Sequence, residues 1–153
     1  MAKTVHGKER MRSDFDVLVD SDAFVGWMLP NDAHHDQVSQ LFAQLEAEEQ
    51  KLVATNFVIG ETATVLSHRD GHHTAQKFLQ MIDEIRFPVV HIDEALQEKS
   101  TQLFLAQQNK GVSMTDCANV VMMRFLHISR IFSFDRFYFR DTIKLQPVQD
   151  SQM

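Results

Sequence analysis

The chain has 153 residues, 44% hydrophobic and 24% charged, with three prolines, five glycines and one cysteine, Cys117. That is the size of one globular domain with its own core, and it excludes disordered, collagen-like and disulfide-stapled classes as well as a multi-cysteine zinc or iron–sulfur site. A net charge of −6 argues against a protein that coats DNA by electrostatics alone, but not against a nucleic-acid enzyme whose acids hold a cation.

The first residues, MAKTVHGKERMRSDFDV, contain no apolar signal region, and no apolar run approaches a membrane span. A soluble, cytoplasmic protein is expected. Lys3, Lys8, Arg10 and Arg12 stand against Glu9 in residues 1–13, a sum of +3, which leaves −9 for the rest. The expected organisation is a basic extension over 1–14, one domain over 15–147 and a polar tail over 148–153.

Phe15 to Val19 is a β-rich run closed by Asp20, and helical periodicity follows from His35 to Gln50, with Val38, Leu41, Phe42 and Leu45 on one stripe. Lys51 to Ala54 is a second short run, followed by a helix over Asn56 to Arg69 carrying Val58, Ile59, Val65 and Leu66. Gly71 separates it from a helix over Thr74 to Ile85 whose stripe is Phe78, Met81, Ile82 and Ile85. Phe87 to Ile92 is a third strand, and Asp93 caps a helix with Leu96, Leu103 and Phe104 that ends near Gly111. The last long helix spans Thr115 to His127, before strands at Ile131 to Phe134 and, weakly, Thr142 to Leu145. Strands separated by helices predict an α/β fold, a mostly parallel sheet of about five strands with helices on both faces. Ligands of such sheets bind beyond the carboxyl ends of the strands.

Four carboxylates fall where that rule places a site. Asp20 follows the first strand and Asp135 follows Ile131-Phe132-Ser133-Phe134; either residue alone reads equally as a turn former or helix cap. Glu61 lies four after Phe57 and four before Val65, on or beside an apolar stripe, so it either faces a cation or reaches the edge of the stripe. Ser113 and Asp116 have capping-box spacing, yet a carboxylate in that first turn is also placed to bind a metal. Converging acids without histidine suit Mg²⁺ or Mn²⁺, which keep waters and leave positions for phosphate oxygens.

The run Val17-Leu18-Val19-Asp20-Ser21-Asp22-Ala23-Phe24 with Asn31-Asp32-Ala33-His34-His35, then Thr55 to Glu61, Ser113 to Cys117 and Phe132 to Phe137, resemble in order and spacing the four motifs of PIN-domain ribonucleases, especially VapC-type toxins of prokaryotic toxin–antitoxin pairs. The resemblance covers roughly residues 15–147. It implies a PIN fold and an Mg²⁺- or Mn²⁺-dependent endoribonuclease whose catalytic metal ligands are Asp20, Glu61, Asp116 and Asp135. It further implies a homodimer and an antitoxin that inserts a segment into the active-site groove. Asp22 stands where the resembled motif has a small neutral polar residue, and either adds a fifth acid or points away.

Ser21 and Ser113 are candidates to bind a scissile phosphate or orient a ligand, with helix capping as the competing role. Arg136 is a candidate for a flanking phosphate, with Arg124, Arg130 and Arg140 near it in sequence. Two other functions compete: a PIN domain without catalysis that binds RNA or protein, and a haloacid-dehalogenase-like phosphatase suggested by Asp20-Ser21-Asp22. Phe24 and a lone late acid, Asp135, disfavour the phosphatase. His34 is a minor candidate for substrate contact.

Overall fold

The structure, a computed structural model, describes residues 14–140 and 146–148. The expected strand Thr142–Leu145 lies outside the described residues, as do residues 1–13 of the basic extension and 149–153 of the tail. Along the chain run β1 (Val17–Val19), α1 (Ser21–Met28), α2 (His35–Ala47), β2 (Leu52–Thr55), α3 (Asn56–Asp70), α4 (His72–Glu84) and β3 (Val89–Val90). After these come α5 (Glu94–Leu105), α6 (Met114–Leu126), β4 (Arg130–Phe132), a 3₁₀ turn (Arg136–Phe139) and β5 (Gln146–Pro147).

The five strands form one sheet in the order β3-β2-β1-β4-β5, and every pairing is parallel. Val17, Leu18 and Val19 face Arg130, Ile131 and Phe132 of β4, while Val17 and Leu18 face Leu52 and Val53 of β2. All three β1 residues are fully buried, as a central parallel strand covered on both faces requires. Side chains alternate between faces. Val17 and Val19 join Phe24 of α1, Leu41 and Leu45 of α2, Leu66 of α3 and Phe78 of α4 in one core. Leu18, Val53 and Ile131 join Leu96 of α5 and Cys117, Val120 and Met123 of α6 in the other.

Sequence periodicity marked five of the six helices but not α1, whose eight residues make only two turns. Asp20 caps α1 by accepting the Ser21 N–H at 2.8 Å, and Phe24 is wedged against Phe78 and Phe87 at centroid distances of 5.4 and 5.3 Å. Gly26 lets α1 meet α2, because a Cβ there would lie 3.0 Å from Val38 Cγ2. Three expectations on the helices are corrected. Helix α5 stops at Leu105, short of Gly111, because Gln107 to Lys110 offers no apolar side chain to hold a buried face. Ile85 is 53% exposed: helix α4 ends before it, and its buried stripe is Ala75, Phe78 and Ile82. In α5 the buried positions are Leu96 and Ser100, and Phe104, in the helix's last turn, is 38% exposed.

The chain winds outward through β1, β2 and β3, then crosses back to lay β4 on the other side of β1. The direction of winding therefore reverses between β1 and β4, and the crevice beyond their carboxyl ends is where such a sheet receives ligands. Among the described residues no helix is long and apolar enough to cross a membrane.

Candidate active site

Asp20 leaves the end of β1 and is 3% exposed. Its Oδ1 accepts the Ser21 N–H and, at 3.1 Å, Asn119 Nδ2–H from α6. Its Oδ2 accepts the Ser133 hydroxyl at 2.8 Å, from the segment following β4. Asn119 is fully buried and fully used: its second Nδ2 hydrogen goes to Tyr138 Oη at 3.1 Å, and its Oδ1 accepts the Thr55 hydroxyl at 3.2 Å. Tyr138, also fully buried, donates its O–H to Asp116 Oδ1 at 2.9 Å. A neutral amide and a phenol thus join the carboxylates of Asp20 and Asp116.

Asp116 closes the expected capping box, its Oδ2 accepting the Ser113 N–H at 2.9 Å while Ser113 Oγ accepts the Asp116 N–H at 3.0 Å. Of the two roles left open for it by the sequence, the cap is present and occupies Oδ2, while Tyr138 orients Oδ1. Glu61 is half-buried at the edge of the α3 stripe, where its carboxylate accepts the Ser21 hydroxyl. Asp135 caps the 3₁₀ turn through the Phe137 N–H at 2.9 Å, and its own N–H donates to Ser133 Oγ at 3.1 Å. Asp22 does not point away. Its Oδ2 accepts the Phe134 N–H at 2.8 Å, and its Oδ1 is buried with no hydrogen-bond partner.

These acids repel one another. Burial first, then the charges of Asp22 and Asp116, holds the Asp20 carboxyl well above the usual carboxylate range. Burial pushes Asp22 up to about 6, with Asp135 adding to the effect. Asp116 is raised by burial and by Asp135 and Glu61. Tyr138 is pushed well above an ordinary phenol by burial, then by Asp20 and Asp116, so it stays a neutral donor. Among the described residues the ion pair is Arg69 with Asp32, at 2.8 Å, and no lysine or arginine pairs with any of the five acids.

The arginines divide. Arg136 is exposed on the 3₁₀ turn directly after Asp135. Arg140 lies over the Phe137 ring, 5.8 Å from its centroid. Arg124 is in the last turn of α6, eight residues from Asp116 and so about 12 Å further along the helix. Arg130 opens β4 at the opposite end of the sheet, bonded to Gln50. Sequence reasoning missed Asn119 and Tyr138. The signal was a polar Asn at the third position after Asp116, inside a run buried from Thr115 to Met123.

Among the described residues no three acidic, histidine or cysteine side chains stand close enough together to grip one ion unaided. The donor set nevertheless suits a hard cation. It is carboxylate oxygen throughout, it has no ion-pair partner among the described residues, and it holds one buried oxygen, Asp22 Oδ1, without a hydrogen-bond partner among them.

Two relatives, one of them with a solved structure, resemble the chain along most of its length. It is 28% identical over 129 residues to a VapC ribonuclease of Archaeoglobus fulgidus, covering 82% of this chain and 81% of that protein. To the 23S rRNA-specific endonuclease VapC20 of Mycobacterium tuberculosis it is 24% identical over 119 residues, covering 78% and 88%. The crystal structure of Mycobacterium tuberculosis VapC20, described as a toxin that cleaves the sarcin–ricin loop, superposes with a TM-score of 0.70 at 23% identity, over 79% of this chain and 91% of that one. The family model of the PIN domain matches residues 17–144, and with the parallel sheet and the acids at its switch point this establishes that the chain belongs to the PIN-domain family.

Proposed function

We propose that this protein is a divalent-cation-dependent endoribonuclease and the toxin of a toxin–antitoxin pair. The observation that carries the reading is the group of five carboxylates, without an ion-pair partner among the described residues, at the β1/β4 switch point of a PIN domain. PIN nucleases generally depend on divalent metals, and VapC toxins act on RNA and pair with antitoxins. Asp20, Glu61, Asp116 and Asp135 are the residues that would hold Mg²⁺ or Mn²⁺. Such an ion supplies Lewis-acid activation of water and neutralises charge on a phosphodiester.

The chain's own groups prepare the site. Asn119 and Ser133 fix the two oxygens of Asp20, Tyr138 and the Ser113 N–H fix those of Asp116, and Ser21 directs its proton at Glu61. The Ser113 hydroxyl accepts from the Asp116 N–H and keeps its own proton for a phosphate oxygen. Arg136, exposed beside Asp135, binds a flanking phosphate. A homodimer and a protein antitoxin complete the reading, which exposed Leu105 and Phe125, 76% and 62% accessible, support by offering apolar surface to a partner. The domain proper runs over 15–147, with the basic extension and the polar tail outside it.

The test compares total cellular RNA treated with the purified protein and with Asp20→Asn, each with Mg²⁺ or Mn²⁺ and again with EDTA. Discrete fragments that vanish with chelator and with the substitution are expected. A folded, partner-free wild type that cuts nothing with either metal would overturn the proposal in favour of a PIN domain that only binds.

A further inference from the structure

Beside the acids lies a ring pair whose inner member, Phe134, packs on the core and Phe132, and whose outer member, His34, belongs neither to the core nor to the carboxylate network. Phe134 sits between Ser133 and Asp135 at the rim of the cluster, its N–H donating to Asp22 Oδ2 at 2.8 Å and its ring packed against Phe132, centroids 6.4 Å apart. The imidazole of His34 lies flat on it, centroids 3.9 Å apart and planes 7° from parallel. The other aromatic pairs among the described residues meet at 31° to 77°, so this parallel stack stands apart from them. His34 is exposed, which leaves the face turned away from Phe134 open to solvent.

The loop that presents this ring is pinned. The His34 N–H donates to Asp32 Oδ1 at 2.9 Å, Asp32 Oδ2 is held by Arg69 at 2.8 Å, and the next residue, His35, donates Nδ1–H to the Gly26 carbonyl at 2.8 Å. A planar, exposed ring is therefore held ready before any ligand arrives, and ordering it on binding costs little. Shielding Phe134 from water would need only an aliphatic chain; a parallel aromatic ring offers a flat outer face as well.

We propose that His34 stacked on Phe134 is a binding platform for one unpaired nucleobase of the RNA. This deepens the ribonuclease reading and rests on it. Unpaired bases are recognised by stacking on aromatic and histidine rings, and every base presents such a face. A base seated there lies next to the acids, and Arg136, two residues beyond Phe134, is placed for the adjoining phosphate. Bases in a continuous duplex are already stacked on each other, so the platform selects single-stranded or looped RNA.

The test measures binding in EDTA, where no cleavage is expected, of short single-stranded RNAs in which successive adenines are replaced by 2-aminopurine. Quenching of the probe at one position is expected with wild type and with His34→Phe, which keeps a stacking face. With His34→Ala the quenching should vanish and affinity should fall about tenfold, within the range that loss of one base–aromatic stack produces, while a fully duplex RNA binds as before. Unchanged quenching and affinity in His34→Ala would overturn the platform, and metal-dependent cleavage by the same preparation would then leave the ribonuclease reading standing. Wild type that quenches the probe but never cuts RNA would remove the ribonuclease and keep the platform. Loss of antitoxin binding in His34→Ala with RNA binding intact would assign the ring to a protein partner and overturn the proposal.

Discussion

Tyr138→Phe removes one oxygen from a fully buried side chain and leaves its ring packing in place, 5.4 Å from Phe137 and 6.3 Å from Phe139. Two hydrogen bonds go with it, the donor to Asp116 Oδ1 and the acceptor for Asn119 Nδ2–H. The stranded amide hydrogen belongs to a fully buried side chain. An orphaned buried donor costs about 1–3 kcal/mol and a lost bond to a carboxylate a similar amount; partial access of water to Asp116 brings the expected total to about 3 kcal/mol. For a chain of this length that is a fall in Tm of roughly 6–12 °C. Urea denaturation of wild type, Tyr138→Phe, Asn119→Leu and the double variant would measure it. The double variant should be more stable than the two single losses predict, because with both groups gone neither strands the other. Since the network orients Asp20 and Asp116, Mn²⁺ affinity measured by calorimetry should also drop at least tenfold. A Tyr138→Phe protein within about 0.5 kcal/mol of wild type, or strict additivity, would refute the argument.

The raised carboxyls predict an unusual pH profile for the metal-free protein. The folded pKa of Asp22, about 6 against an ordinary 3.8, means that the folded chain holds a proton which the unfolded chain releases. This contribution to stability is present in full below the ordinary value and is lost as pH rises through about 6, an effect of about 3 kcal/mol for Asp22 alone. In EDTA, Tm at about pH 8 should therefore lie below that at about pH 5, and Mn²⁺ should restore it; a flat profile would contradict the crowding of the acids. Cys117, pushed up to about 11 by burial and then by Asp116, should resist iodoacetamide at neutral pH until denaturant is added. Gly26→Ala should lose about 1 kcal/mol by denaturation, since the clash with Val38 outweighs the gain in helix propensity; a stabilised variant would show that α1 and α2 can part freely.

Much of the fold is legible in the sequence because the signals are periodic and local. The stripes of α2 and α3, the Gly71 break and the Ser113–Asp116 capping box all depend on residues within one or two turns of each other. The acids at strand ends are legible for a related reason: a parallel sheet gathers the carboxyl ends of its strands, so Asp20 and Asp135 are brought to the same edge, joined through Ser133 Oγ, without any knowledge of side-chain packing. Helix α1 was not legible, because two turns carry too little periodicity and its identity rests on Phe24 meeting Phe78 and Phe87 from distant segments. Asn119 and Tyr138 were hidden for the same reason. Their partners lie 99 and 22 residues away, and in sequence one reads as a blemish in an apolar helix and the other as part of an aromatic run.

Asp20 and Asp135 each also cap a helical segment and Asp116 closes the capping box of a third, so loss of folding and loss of chemistry must be separated by the choice of substitution. Asparagine caps a helix as well as aspartate does. In Asp20→Asn the remaining oxygen keeps the Ser21 and Asn119 bonds, the new amide donates to Ser133 Oγ, and the freed Ser133 proton turns to Asp22 Oδ2, 3.3 Å away. One of the mutually repelling charges disappears at the same time. Asp20→Asn should consequently match or exceed wild type in Tm at neutral pH in EDTA while losing RNA cleavage. Asp20→Ala strands Asn119 Nδ2–H and removes the cap, and it should fall by about 2–4 kcal/mol. If both variants lost the same stability, the charge of Asp20 would be what the fold needs, and Asp20 would have to be read as a structural acid rather than one kept, against the interest of stability, to hold a cation.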